Sequence, residues 1–142
     1  MRDITKLMIY KYNLVKLGFD FMGYEFQKES ELSFHHLIVP KRLCAYKHIE
    51  EDGYVEWNGA ILVQNTAHNY LHIIEQYNKE IFNGITNEII DEKNNGSIRI
   101  ENLKRINVLL DYFENEYKDI KAKNGTRLIK EKYKKRVLKK EI

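Results

Sequence analysis

Only two stretches of this chain are patterned for β-structure, and both are short. LSFHHLIV, at 32–39, is rich in β-branched and aromatic residues and stops at Pro40, the single proline among 142 residues, which cannot donate to a ladder. YVEWNGAILVQ, at 54–64, is the second extended segment, reached through a loop with a turn at Glu51-Asp52-Gly53. Helix-patterned sequence surrounds both. Two strands make one hairpin, so the predicted fold class is α+β, mainly helical, with a short antiparallel hairpin packed among flanking α-helices. A chain of this length is large enough for one real core and too small for two.

Asp3 is placed to cap a helix running to about Lys16, with Ile4, Leu7, Met8, Leu14 and Val15 at helical spacing and Gly18 after its end. The aromatic stretch FDFMGYEF, broken by Gly23, reads as an extended or turned cover over the core. After the second strand, Asn65 or Thr66 is positioned to cap a helix from Ala67 to about Phe82, which Asn83-Gly84 ends. A short helical piece, ITNEIIDEK, leads to a turn at Asn94-Asn95-Gly96. A long helix follows from Ile100 to about Lys121, with Leu103, Ile106, Leu109, Leu110, Phe113 and Tyr117 on one face. Asn124-Gly125 breaks it, and Thr126 is placed to cap a final basic helix reaching Lys140. The predicted organisation is one domain over 1–142: a hairpin-plus-helix core at 32–82, an N-terminal helix and cover at 1–31, and C-terminal helices with a basic tail at 98–142.

Composition narrows the chemistry. One cysteine, Cys44, excludes an internal disulfide and any cysteine-only zinc site, so a bound metal must be held by histidines, carboxylates and water. Cys44 itself reads as a small core residue, and Trp57 as core packing. No run approaches the roughly 18 apolar residues of a membrane span, and the opening MRDITKLMIYKYNLVKLG mixes charges through its apolar positions, unlike a secretion signal. A cytoplasmic location without membrane contact is expected. The signs of charge are segregated: residues 118–142 carry 11 Lys/Arg against 3 Asp/Glu, and the remainder 13 against 18. Such a tail suits phosphate neutralisation on a nucleic acid, or is simply a solvated lysine-rich face.

Four of the five histidines fall on the hairpin-plus-helix unit. His35 and His36 are adjacent in the first strand; His68 and His72 stand four apart in TAHNYLHIIEQ, where i and i+4 share a helical face and both imidazoles can reach one ion. Glu75 extends that face as an acceptor for an imidazole N–H, or as a surface glutamate. His48, in the loop between the strands, matches no such pattern and reads as a surface histidine. Successive strand residues point to opposite faces, so His35 and His36 reach one site only where the strand ends, bulges or twists.

The combination of His35-His36, then Asn58 before GAIL, then His68 and His72, on strand, strand and helix in that order, resembles the HNH endonuclease family. Its ββα-metal module has a His-His or Asp-His step, an asparagine near the second strand and metal-binding residues on the helix. The HH, N, HxxxH variant is similar to that of nuclease colicins, and FHHLIVPKR and WNGAIL with HNYLHIIE resemble bacteriophage-encoded HNH proteins. The resemblance, over roughly 32–80, implies that His35, His68 and His72 bind one divalent ion, that His36 is the general base, and that Asn58 orients the His36 ring. It further implies a phage or mobile-element endonuclease that hydrolyses phosphodiester bonds of double-stranded DNA. Three imidazoles favour Zn²⁺ or Ni²⁺, while availability can bring in Mn²⁺ or Mg²⁺. Lys41 and Arg42, just past the strand, are candidates for phosphates beside the cut, and Lys132, Lys134, Lys135 and Arg136 for an accessory DNA-binding arm. Leu128, Ile129, Tyr133 and Val137 within that arm imply packing on something, including a second copy in a homodimer.

The chain departs from the family pattern in two ways. It lacks the two CxxC pairs of many HNH proteins, and the glycine pair common after the proline is replaced through LCAYKHIEEDG. The competing expectation is an HNH-like fold used as a non-catalytic binding module with a protein partner, such as a phage inhibitor of a host defence nuclease. A non-catalytic, nucleic-acid-binding helical protein rests on the basic tail alone.

Overall fold

The computed structural model describes residues 3–44, 47 and 55–140, the last two without their side chains. His48 and the turn predicted at 51–53 lie outside the described residues. The elements are α1 (Asp3–Lys11), α2 (Leu14–Leu17), β1 (Leu32–His36), β2 (Gly59–Val63), α3 (Asn69–Tyr77), α4 (Lys79–Asn94), α5 (Ile100–Tyr117) and α6 (Val137–Lys140). β1 and β2 form a two-stranded antiparallel sheet, and the rest is mainly helical, as the α+β pattern predicts. All five residues of β2 are buried; the strand packs against β1, α1 and the Gln64–His68 turn, and its side chains join one hydrophobic core with those of α3, α4 and α5. Each fully buried Ile or Leu here, among them Ile61, Leu62, Leu71, Ile74 and Ile85, contributes about 1.5–3 kcal/mol.

The aromatic segment 18–26 does cover this core. Phe21, Met22 and Tyr24 are buried, and Phe19 and Glu25 bridge across the turn at Gly23. The buried Asp20 carboxylate holds the turn, accepting Met22 N–H at 2.9 Å and Tyr24 N–H at 3.0 Å, and ties it to β2 by accepting Val63 N–H at 2.8 Å.

Several predicted boundaries move, each for a local reason. The first helix breaks at Asn13, which adopts φ 60°, a conformation asparagine tolerates. Neither Asn65 nor Thr66 caps a helix, because the chain passes from β2 straight into a wide π-type turn, Gln64–His68, that feeds α3. The helix predicted to end at Asn83-Gly84 ends instead at Asn78, whose side chain accepts Ile81 N–H at 3.0 Å and starts α4. ITNEIIDEK is thus part of α4. Gly84 lies inside that helix, where a Cβ would stand 3.0 Å from Leu109 Cδ1 of α5, so its smallness serves helix packing. α5 stops at Tyr117, short of Lys121. The predicted basic helix after Thr126 gives way to a turn, a 3₁₀ segment at Glu131–Lys134 and the short α6. Trp57 is 52 % exposed instead of packed in the core, whereas Cys44 is buried as predicted.

Candidate metal centre

The sheet register pairs His35 with Ala60 and His36 with Gly59. Alternation along β1 puts Ser33 and His35 on the face toward the Gln64–His68 turn and α3, and Phe34 and His36 on the other. Accordingly Ser33 Oγ meets His68 Nδ1 at 2.6 Å, while the Phe34 and His36 rings stand edge-on, 5.1 Å between centroids. Phe34 lies directly over Gly59: a Cβ there would come within 2.2 Å of Phe34 Cζ and 2.6 Å of the His35 carbonyl oxygen. Only glycine permits that approach.

His35, His68 and His72 come together. The His35 ring centroid is 4.7 Å from that of His68 and 4.7 Å from that of His72, and the two helix histidines are 5.0 Å apart. Each offers a ring nitrogen, and the three atoms lie within 4.8 Å of one another. This is the one such grouping of metal-ligating side chains among the described residues. Burial is graded: His35 is 1 % exposed, His68 is half-buried and His72 faces solvent. Neither nitrogen of His35 has a hydrogen-bond partner, an arrangement that costs about 1–3 kcal/mol of desolvation for each unsatisfied group unless a ligand compensates it.

The electrostatics suit a cation. Burial, followed by the neighbouring His68, His72 and His36, holds His35 well below the usual histidine value of 6.5. Burial, then His72 and His36, brings His68 down to about 4. Both rings are therefore neutral at pH 7, with lone pairs available for coordination. His72 Nδ1 stands 3.6 Å from Glu75 Oε1, where the predicted acceptor on the helix face lies.

His36, where β1 ends, borders with His68 and His72 a cavity of about 360 Å³ whose other walls include Leu37, Ile38, Pro40, Lys41, Arg42 and Glu75. His36 thus lines the same cavity as His68 and His72, while His35, on the opposite face of β1, is not part of that lining and meets the same two rings within the core. Asn58 is buried and clamps the chain that follows His36, accepting Val39 N–H at 2.6 Å and donating to the Val39 carbonyl at 2.9 Å. Its own carbonyl accepts Leu37 N–H at 2.8 Å, extending the ladder past the strand.

The basic tail divides. Lys132 and Lys135 are exposed, and Lys134 pairs with Glu131 at 3.3 Å. Arg136 is no surface group. It is 1 % exposed, donating to Glu114 at 2.7 Å, Asp111 at 2.9 Å, Asn107 at 3.0 Å and the Tyr133 carbonyl at 3.0 Å, so it cannot reach a phosphate. The 3₁₀ segment packs against the Gln64–His68 turn, with Tyr133 stacked on Tyr70 at 4.8 Å. The residue that sequence reasoning missed is Ser33. Its signal was there, two positions before His35 and hence on the same strand face. No described helix is long and apolar enough to cross a membrane. Neither a protein-family model, nor a curated protein, nor a solved structure matches this chain.

Proposed function

We propose that this chain is a metal-dependent endonuclease of HNH type that hydrolyses phosphodiester bonds in DNA. The observation that carries the reading is His35: a buried imidazole with both nitrogens unpartnered, set against two more imidazoles beside an open, partly basic cavity. His35, His68 and His72 would hold the ion, and an all-nitrogen set of this kind favours zinc or nickel over manganese and magnesium, which prefer oxygen. When bound, a divalent ion supplies charge neutralisation for the scissile phosphate and its leaving oxygen.

The chain's own groups supply the remainder. His36, on the cavity wall, takes a proton from the attacking water through a ring nitrogen, as an imidazole does well near neutral pH. Asn58 holds the main chain after His36 and thereby the direction from which that ring enters the cavity. Lys41 and Arg42, exposed on the same wall, bind phosphates flanking the cut, and Lys132 and Lys135 add sequence-independent attraction.

Supercoiled plasmid incubated with the metal-free protein and added Zn²⁺, Ni²⁺, Mn²⁺ or Mg²⁺ tests this. Nicking by the wild type that His36→Ala loses by 100-fold or more, in the range general-base catalysis supplies, is the expected result. Absence of cutting with every ion, together with capture of a protein partner, would establish the binding-module reading in its place.

A further inference from the structure

The environment of His68 differs from that of its two partners. His35 has no hydrogen-bond partner, and His72 has Glu75 at 3.6 Å near the surface. His68 Nδ1, by contrast, is 2.6 Å from Ser33 Oγ, and Ser33 Oγ is within 3.3 Å of the Leu62 carbonyl on β2. A serine hydroxyl has one proton to donate. If it goes to the Leu62 carbonyl, an acceptor that cannot donate, the contact to His68 requires the hydrogen to sit on Nδ1.

We propose that Ser33 is a positioning residue that holds His68 in the Nδ1-protonated tautomer, so that the Nε2 lone pair is presented to His35 and His72. The inference rests on the metal-centre reading and deepens it. The relay runs from His68 Nδ1–H to Ser33 Oγ, and from Ser33 O–H to the Leu62 carbonyl of the central strand. Fixing one ring nitrogen fixes which atom of the other side of the ring can ligate, and such outer partners typically change metal affinity 10–100-fold. Histidine free in water favours the opposite tautomer, with hydrogen on Nε2 and its lone pair misplaced. The strand therefore contributes twice to the centre, through the His35 ring and through the orientation of a ring on the following helix.

Ring-nitrogen NMR of the uniformly ¹⁵N-labelled, metal-free full chain reads the tautomer directly. The expected result is His68 protonated at Nδ1 in the wild type and shifted toward Nε2 in Ser33→Ala. Competition against a chelator with Co²⁺ as the probe should show about a tenfold loss of affinity in Ser33→Ala, and recovery in Ser33→Thr, which keeps the hydroxyl. A structural role for Ser33 would leave the tautomer unmoved. Protonation of wild-type His68 at Nε2, or wild-type Co²⁺ affinity in Ser33→Ala, overturns the inference. Failure of the wild type to bind Co²⁺ defeats the metal-centre reading, while the wild-type spectrum still decides the role of Ser33.

Discussion

His35 and Arg136 are equally buried, each about 1 % exposed, and both are polar groups drawn inside a small core. They differ in what receives them. The Arg136 guanidinium donates to two carboxylates, a side-chain amide and a carbonyl, and links the chain end to α5. Neither nitrogen of the His35 imidazole has a hydrogen-bond partner, and its ring stands against two more imidazoles. A buried polar group whose partners are complete belongs to the architecture. One that is left without partners, beside groups of the same coordinating chemistry, belongs to a cluster that could hold an ion.

Leucine substitution at the two positions should therefore have opposite signs. Arg136→Leu leaves Glu114, 7 % exposed, and Asp111 without their cation, and breaking a buried pair in this way costs about 3–5 kcal/mol. We expect a correspondingly large fall in the urea midpoint, with Co²⁺ affinity of the folded fraction unchanged. Arg136→Leu combined with Glu114→Gln should recover part of the loss, because the stranded charge is gone. A surface arginine serving only DNA would show neither effect, so a stability within about 0.5 kcal/mol of wild type breaks the comparison from this side.

His35→Leu replaces unpartnered polar atoms with an apolar side chain of similar size. The metal-free protein should gain about 1–2 kcal/mol, since removing an unsatisfied buried group recovers its desolvation cost. The gain carries a second signature: added Zn²⁺, which should raise the melting temperature of the wild type by mass action, should no longer do so. If His35→Leu destabilises the metal-free chain, then His35 is satisfied in a way its two bare nitrogens do not indicate, and the contrast with Arg136 disappears.

The histidine centre was largely legible because its signal is periodic. An i, i+4 pair on a helix and a histidine on a strand just before it can be read without knowing the packing. What stayed hidden was set by contacts distant in sequence. Arg136 lies in a run of lysines, and run-averaged charge describes a solvated face; only the fold shows that Asp111 and Glu114 of α5 reach it across more than twenty residues. The end of α3 is likewise set by contacts that the local sequence does not show. Asn83-Gly84 carries a stop signal locally, but Leu109 packs against Gly84, and the capping bond falls to Asn78. Trp57 has the chemistry of a core residue, yet its neighbour Asn58 takes the buried position.

Glu92 sharpens the comparison from a third side. On α4 it is fully buried and neither carboxylate oxygen has a partner, as with His35, yet among the described residues it belongs to no group whose ligating atoms converge closely enough to hold an ion. A carboxyl has another way to live with burial, which is to keep its proton. Burial, followed by the charges of Asp20 on the aromatic segment and Glu88 and Asp91 on its own helix, pushes Glu92 up to about 10. The folded value lies above the ordinary 4.5, so the folded state binds the proton more tightly and the stabilisation is complete below pH 4.5. It is lost as pH rises toward 10, at no more than about 1.4 kcal/mol per pH unit. Asp20, raised by burial to about 6 against the backbone N–H groups that pull it down, adds a loss of the same sign between pH 3.8 and 6. Glu92→Gln removes the upper part of this dependence, so urea midpoints of wild type and variant should diverge steadily from pH 6 to 9, with the variant the more stable at the alkaline end. Parallel midpoints would mean that Glu92 is ionised and paired in the folded chain. An unpartnered buried group would then cease to separate a ligand site from ordinary core, and the case for His35 would have to stand on the convergence of its neighbours alone.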